Sequence, residues 1–183
     1  MVWTSWLVVW GMAGFVRGAD TAAVEDAVHE RMARWERAAL NREWAAATKW
    51  SQADLLVKQA GKLRAASYST PEEHRKNYQK AASAELRAAG LYASASAGFD
   101  KALSNWKNLD RLCHPVRDAE KKKLVQQAIR SADTKAREAC RLAAEAYEVA
   151  ADLFSQDKGG KLEASAKASE AAAACWEKLA ARK

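Results

Sequence analysis

The chain has little of what interrupts a helix. Two prolines and eight glycines punctuate its 183 residues, and none lies between Pro115 and Gly159. β-branched residues are sparse and no strand-like alternation occurs, so a sheet protein is excluded. There is no Cys-x-x-Cys, no His-Glu-x-x-His and no glycine-rich phosphate loop. The Ser, His and Asp residues form no nucleophile–base–orienter pattern. No catalytic residue, cofactor or metal is therefore expected. No Asn stands in an Asn-x-Ser/Thr acceptor, which removes N-glycosylation. Cysteines number three, too few for a disulfide scaffold.

What remains is charged and helix-forming. Ala, Glu, Lys and Arg dominate, with 29% charged and 49% apolar residues. At 183 residues one domain is expected. The net charge of +7 is spread along the chain, and Lys121-Lys122-Lys123 is its one tight run. A solvated helix face explains that run better than a nucleic-acid patch, since no base-reading motif accompanies it.

Trp3 to Val16 is an apolar run too short to span a bilayer comfortably. Val16 and Gly18 sit at −3 and −1 of a cleavage site before Ala19, so residues 1–18 read as a secretory signal peptide and 19–183 as the mature domain. The n-region is atypical in carrying no Lys or Arg. No second apolar span follows, and the ending Trp176-Glu-Lys-Leu-Ala-Ala-Arg-Lys183 is no lipid-anchor tail. A secreted or cell-surface location is expected, with no membrane span in the mature chain.

Periodicity organises that mature chain. From His114 to Lys158, Val125, Ile129, Ala132, Ala136, Ala139, Ala143, Ala146, Ala150 and Leu153 recur at spacings of four and three. This is an unbroken heptad seam on a rod of about 60 Å. A first helix is expected from about Thr21, capped by Asp20 or Thr21, to Ala66. Its seam of Val28, Met32, Trp35, Ala39, Ala46, Ala53, Leu56, Ala60 and Leu63 is crossed by Arg42 and Lys49. Either the face shifts toward Trp50 and Val57, the preferred reading, or the two cations lie beneath the surface with partners. Thr70-Pro71-Glu72-Glu73 reads as a capping box opening a second helix that runs to about Asp110. Its seam is Tyr78, Ala81, Glu85, Ala88, Tyr92, Ala95, Phe99, Ala102, Trp106 and Leu109, with Gly90 and Gly98 off the seam. A shorter fourth helix spans Lys161 to about Ala181. Short turns make neighbours antiparallel. The expected fold is all-α: an elongated antiparallel bundle of three long helices and a shorter fourth, packed like a coiled coil.

Folding these rods about turns near residues 68 and 112 sets Glu85 level with Gln52 and Cys140. Lys49, Gln52 and Glu85 form a candidate buried polar layer, with Glu85 paired to Lys49 or reaching solvent; a functional site there is the alternative. About 40 Å of helix separates Cys113 from Cys140, so Cys140–Cys175 is the one plausible internal bridge. Cys113 is left as a free tip thiol, available for a dimer. His29, Cys113 and His114 gather near that tip, a weak basis for a metal. Trp44, nine residues from Trp35, faces the other side of its helix: packing against another bundle helix is the preferred reading, and an exposed or groove-facing aromatic is the alternative.

The stretches MVWTSWLVVWGMAGFVRGAD, TKAREACRLAAEAYEVAADLF and ASAKASEAAAACWEKLAARK give the chain a whole-length style that resembles the helical-bundle ectodomains of trypanosome surface and receptor glycoproteins. That resemblance implies a coat or host-ligand-binding role. No functional residue carries over, because no defined motif is shared. The missing sequons, anchor tail and fuller disulfide set depart from the pattern.

The expected function is that of an exported, non-enzymatic helical bundle that binds a protein ligand or forms part of a surface layer. Two alternatives stand beside it. One is a tandem-hairpin adaptor of the tetratricopeptide kind, suggested by the match of Lys80–Tyr92 to Lys135–Tyr147, although their offset is not the 34-residue period such arrays require. The other is a polyanion-binding helical protein.

Overall fold

The computed structural model describes residues 6–156 and 161–182, with side chains described from Ala23 onward. Four helices follow one another: α1 (Trp6–Ala65), α2 (Pro71–Leu112), α3 (Ala119–Ser155) and α4 (Leu162–Ala180). No strand occurs among the described residues. Helix α2 packs along both α1 and α3, and α3 also packs on α4, while α1 and α3 touch only marginally through their backbones. The architecture is the expected elongated antiparallel bundle.

Alanine sets the spacing. On α1, Met32, Ala39, Ala46, Ala53 and Ala60 are buried at every seventh residue. On α2, Ala81, Ala88, Ala95, Ala102 and Leu109 do the same, and on α3 Val125, Ala132, Ala139, Ala146 and Leu153. A second heptad ladder on α2 carries Glu85, Tyr92, Phe99, Trp106 and, just past the helix end, Cys113, all buried. Those larger side chains stand between α1 and α3 and hold the two apart. Trp50 of α1 joins them edge-on, with its ring centre 6.2 Å from that of Tyr92 and 6.1 Å from that of Phe99. Arg42 and Lys49 are exposed while Trp50 and Val57 are half-buried, so the α1 face does shift as preferred.

Helix boundaries both match and correct the sequence reading. Thr70 caps α2, its hydroxyl accepting from Glu73 N at 3.2 Å, and Glu73 accepts from Ser69 N at 3.2 Å. Helix α1 passes through Asp20 and Thr21, so neither caps it; no proline stands in its path. The expected signal segment, 1–18, lies outside the described side chains. Helix α3 starts at Ala119 rather than near His114. The cause is local: His114 Nδ1 accepts from Val116 N and Arg117 N, and Asp118 accepts from His114 N at 2.9 Å. These bonds hold a turn that competes with the helix. The stretch 125–153 is one continuous helix, as its heptads require.

Among the described glycines, Gly98 marks the closest approach. A Cβ added to Gly98 would stand 2.9 Å from Ala46 Cβ, whereas one at Gly90 would meet nothing within 4 Å. Gly98→Ala should therefore destabilise the bundle by about 1–3 kcal/mol through overpacking. Gly90→Ala should stabilise it by about 0.5–1 kcal/mol, because only the backbone entropy of glycine is removed. Urea unfolding of both variants checks this, and equal effects would discount Gly98 as the limiting contact.

Candidate functional site

The candidate polar layer does not form as expected. Glu85 is 2% exposed, but its partner is Arg64, with Nη2 at 3.2 Å from Oε1. Lys49 instead donates to Ser94 Oγ at 2.7 Å on the surface, and Gln52 is exposed. The register is displaced because the linkers are not points. Helix α2 begins at Pro71 yet first packs at Tyr78 and Ala81, so its opening turns overhang the end of α1. The six residues 113–118 displace α3 in the same way. Glu85 therefore faces Leu142, Glu145 and Val149 across a small cavity of about 200 Å³, and not Cys140.

The rest of the α2 ladder is also held from α1. Tyr92 donates to Asp54 Oδ1 at 2.5 Å, and Trp106 Nε1 to Glu43 Oε1 at 2.6 Å. Lys135 of α3 lies 5.9 Å from the Phe99 ring centre and 3.5 Å from Glu43. Burial pushes the Tyr92 phenol well up, with Asp54 adding to the shift. These contacts tie α2 to α1 and α3.

The cysteines are distributed as expected, but none is bonded. Cys140 is buried on α3 and its thiol donates to the Cys175 carbonyl of α4 at 3.4 Å. Burial, followed by the neighbouring Cys140, pushes the Cys175 thiol up to about 11. Cys113 sits at the tip but is buried, which corrects the expectation of a thiol available to a second copy. Burial raises its pKa first, with Asp118 next. His114 Nδ1 is committed to its own turn. Among the described residues no group of three or more His, Cys, Asp or Glu could hold a metal, and no helix is long and apolar enough to cross a membrane.

Trp44 takes the exposed alternative and not the packed position that the sequence reading preferred. Trp44 is 75% exposed, whereas Trp35 is half-buried in the cluster that holds Trp106. Leu40, 53% exposed, and Leu55, 66% exposed, lie four residues before and eleven after Trp44. Those spacings keep all three on one outward face of α1. Leu55 reaches the edge of an open groove between α1 and α2, formed of adjoining hollows of about 620 and 300 Å³ that share Leu56, Gln59 and Arg87. Lys76, Lys80, Arg87 and Lys161 line it, and among the described residues no carboxylate does.

No family model, curated protein or solved structure matches the chain.

The sequence reading missed this groove, although a signal was present. No Asp or Glu occurs from Leu55 to Pro71 or from His74 to Ala84, while Lys58, Lys62, Arg64, Arg75, Lys76 and Lys80 do. Only the folded register brings the two acid-free stretches together.

Two predictions follow from these side chains. Burial raises the Glu85 pKa and Arg64 only partly reverses it. A raised carboxyl contributes stability that is present below its unfolded value and is lost as pH rises through the folded one. The stability of wild type relative to Glu85→Gln should therefore fall as pH rises from about 4, the usual carboxylate range, toward neutrality; a difference constant with pH would refute the assignment. Separately, glutathione disulfide should oxidise Cys140 and Cys175 together. Two thiols would lose two protons and two electrons to form one S–S bond, and the oxidant would be reduced to two glutathiones. Intact mass should drop by two hydrogens, Cys113 should stay alkylatable after unfolding, and the bridge should add about 2–4 kcal/mol. A lasting glutathione adduct on Cys175 alone would show that the pair cannot close.

Proposed function

We propose that this chain is an exported, non-enzymatic helical bundle that holds a protein partner at a cell surface or within a surface layer. The observation that supports it best is the outward stripe of Leu40, Trp44 and Leu55 on α1. Large apolar side chains left in water, a tryptophan above all, favour a partner surface. The interior supports the reading too, because its polar residues are spent on register: Glu85 on Arg64, Tyr92 on Asp54 and Trp106 on Glu43. The polyanion alternative draws on the cationic groove and is tested below.

A photo-crosslinking residue at position 44, in the chain from Ala19 onward, should trap one discrete protein from the cell surface of the source organism. The same residue at position 170 on α4 should not. Excess wild type should compete and a Leu40→Asp/Trp44→Asp chain should not, although its stability should change by less than about 0.5 kcal/mol because both sites are exposed. Equal competition by that variant, or turnover of a substrate by the purified chain, overturns the proposal.

A further inference from the structure

We infer that the α1/α2 groove is the seat of an amphipathic, acidic α-helix supplied by the protein partner. The inference rests on the partner reading above and names the chemistry of what is bound. Its apolar lining is Leu56, Leu63 and Ala84, interspersed with Gln59, Gln79 and Ser83, and continues to Leu55 and Leu91. Its rim is cationic, with Lys76, Lys80 and Arg87 from α2 and Lys161 from the start of α4. Lys76 is paired with Glu72 at 2.9 Å. Lys80 and Arg87 have no ion-pair partner among the described residues.

Shape and charge select the occupant. The groove follows α1 from Gln52 to Leu63, eleven residues or about 16 Å of helix, and Lys76 extends it past the end of α1. That length matches three turns of a docked helix. The groove is a shallow valley between two parallel ridges, the form into which a third helix packs. An acyl chain needs an enclosed cavity that takes most of its surface out of water, and this one lies open. A leucine face on the groove with glutamates toward the rim would pair with Lys80 and Arg87, and the same helix would reach Leu55, the near end of the α1 stripe.

The test uses the chain from Ala19 onward and four probes. They are a fluorescent 18-residue peptide with leucines at heptad positions flanked by Glu, its twin with Lys for every Glu, a heparin oligosaccharide, and phosphatidylglycerol vesicles. The acidic peptide should bind at least tenfold tighter than its basic twin, more weakly as salt rises. Lys80→Glu/Arg87→Glu should weaken it at least tenfold with the helical circular dichroism unchanged. Equal binding of the twins, indifference to the charge reversal, or heparin or vesicles bound in preference to the peptide would overturn the inference. A reversed chain that still crosslinks its partner through position 44 overturns the groove and leaves the α1 stripe standing. Peptide binding that persists where the position-44 crosslink fails removes the natural partner and spares the groove chemistry.

Discussion

The distance between helix axes is the constraint on which this structure depends. Alanine at every seventh buried position of α1 and α2, matched on α3, lets backbones approach toward the short end of the usual 8–10 Å range. At Gly98 and Ala46 even one methyl group more does not fit. Alanine buries little area, so these ladders set spacing and supply only part of the hydrophobic stabilisation. The remainder falls to Tyr92, Phe99, Trp106 and Trp50, which occupy the wedge that opens between α1 and α3 once α2 lies close to both.

A ladder of identical alanines does not specify register, because sliding one helix by a heptad would restore the same contacts. The polar partners do. Glu43 takes Trp106, Asp54 takes Tyr92 and Arg64 takes Glu85. Those pairs run in opposite directions along α1 and α2, as antiparallel helices demand, and a slip of seven residues would break all of them. Glu85 is the costliest member, since a buried carboxylate loses hydration that one half-exposed arginine only partly replaces. Its place is consistent with a role in specificity over stability. Between the Tyr92 and Trp106 levels, Asp100 of α2 does comparable work for the end of α4, bound by Arg182 and by Lys178 at 3.0 Å.

Periodicity made the helices, their order and the seam of α3 legible, because it is a local property and 3.6 residues per turn is rigid. The Thr70–Glu73 cap was legible for the same reason. Register was not. Mirror-folding about residues 68 and 112 treats each linker as having no length, whereas Tyr68 folds back to donate to the Leu63 carbonyl and His114 ties residues 116–118 into a turn. An offset of about three turns along α1 moved Glu85 away from Lys49 and Gln52 and toward Arg64, and a smaller one along α3 moved it from Cys140. The Cys140–Cys175 juxtaposition survived, since both residues lie beyond those linkers and depend only on the α3/α4 turn. The facing of Trp44 away from Trp35 survived because sidedness on one helix needs no register at all.

The groove and the α1 stripe share one physical argument. The fully buried heptad positions of α1 are Met32 and four alanines, with Trp35, Trp50, Leu56, Val57 and Leu63 half-buried beside them, while its outer face carries Leu40, Trp44 and Leu55. A helix shaped only by its own bundle would place its apolar side chains inward, where burial yields about 25 cal/mol per Å². At the alanine positions close packing with α2 leaves no room for larger ones, yet that packing does not require Leu40, Trp44 and Leu55 outside. Polar residues at those three positions would serve solubility better, as Lys58 does on the same face. The proposed partner helix, covering that face, would account for the stripe. The cationic rim along Lys80 and Arg87, continuous with it through Leu55, would then select for acidic residues on that helix.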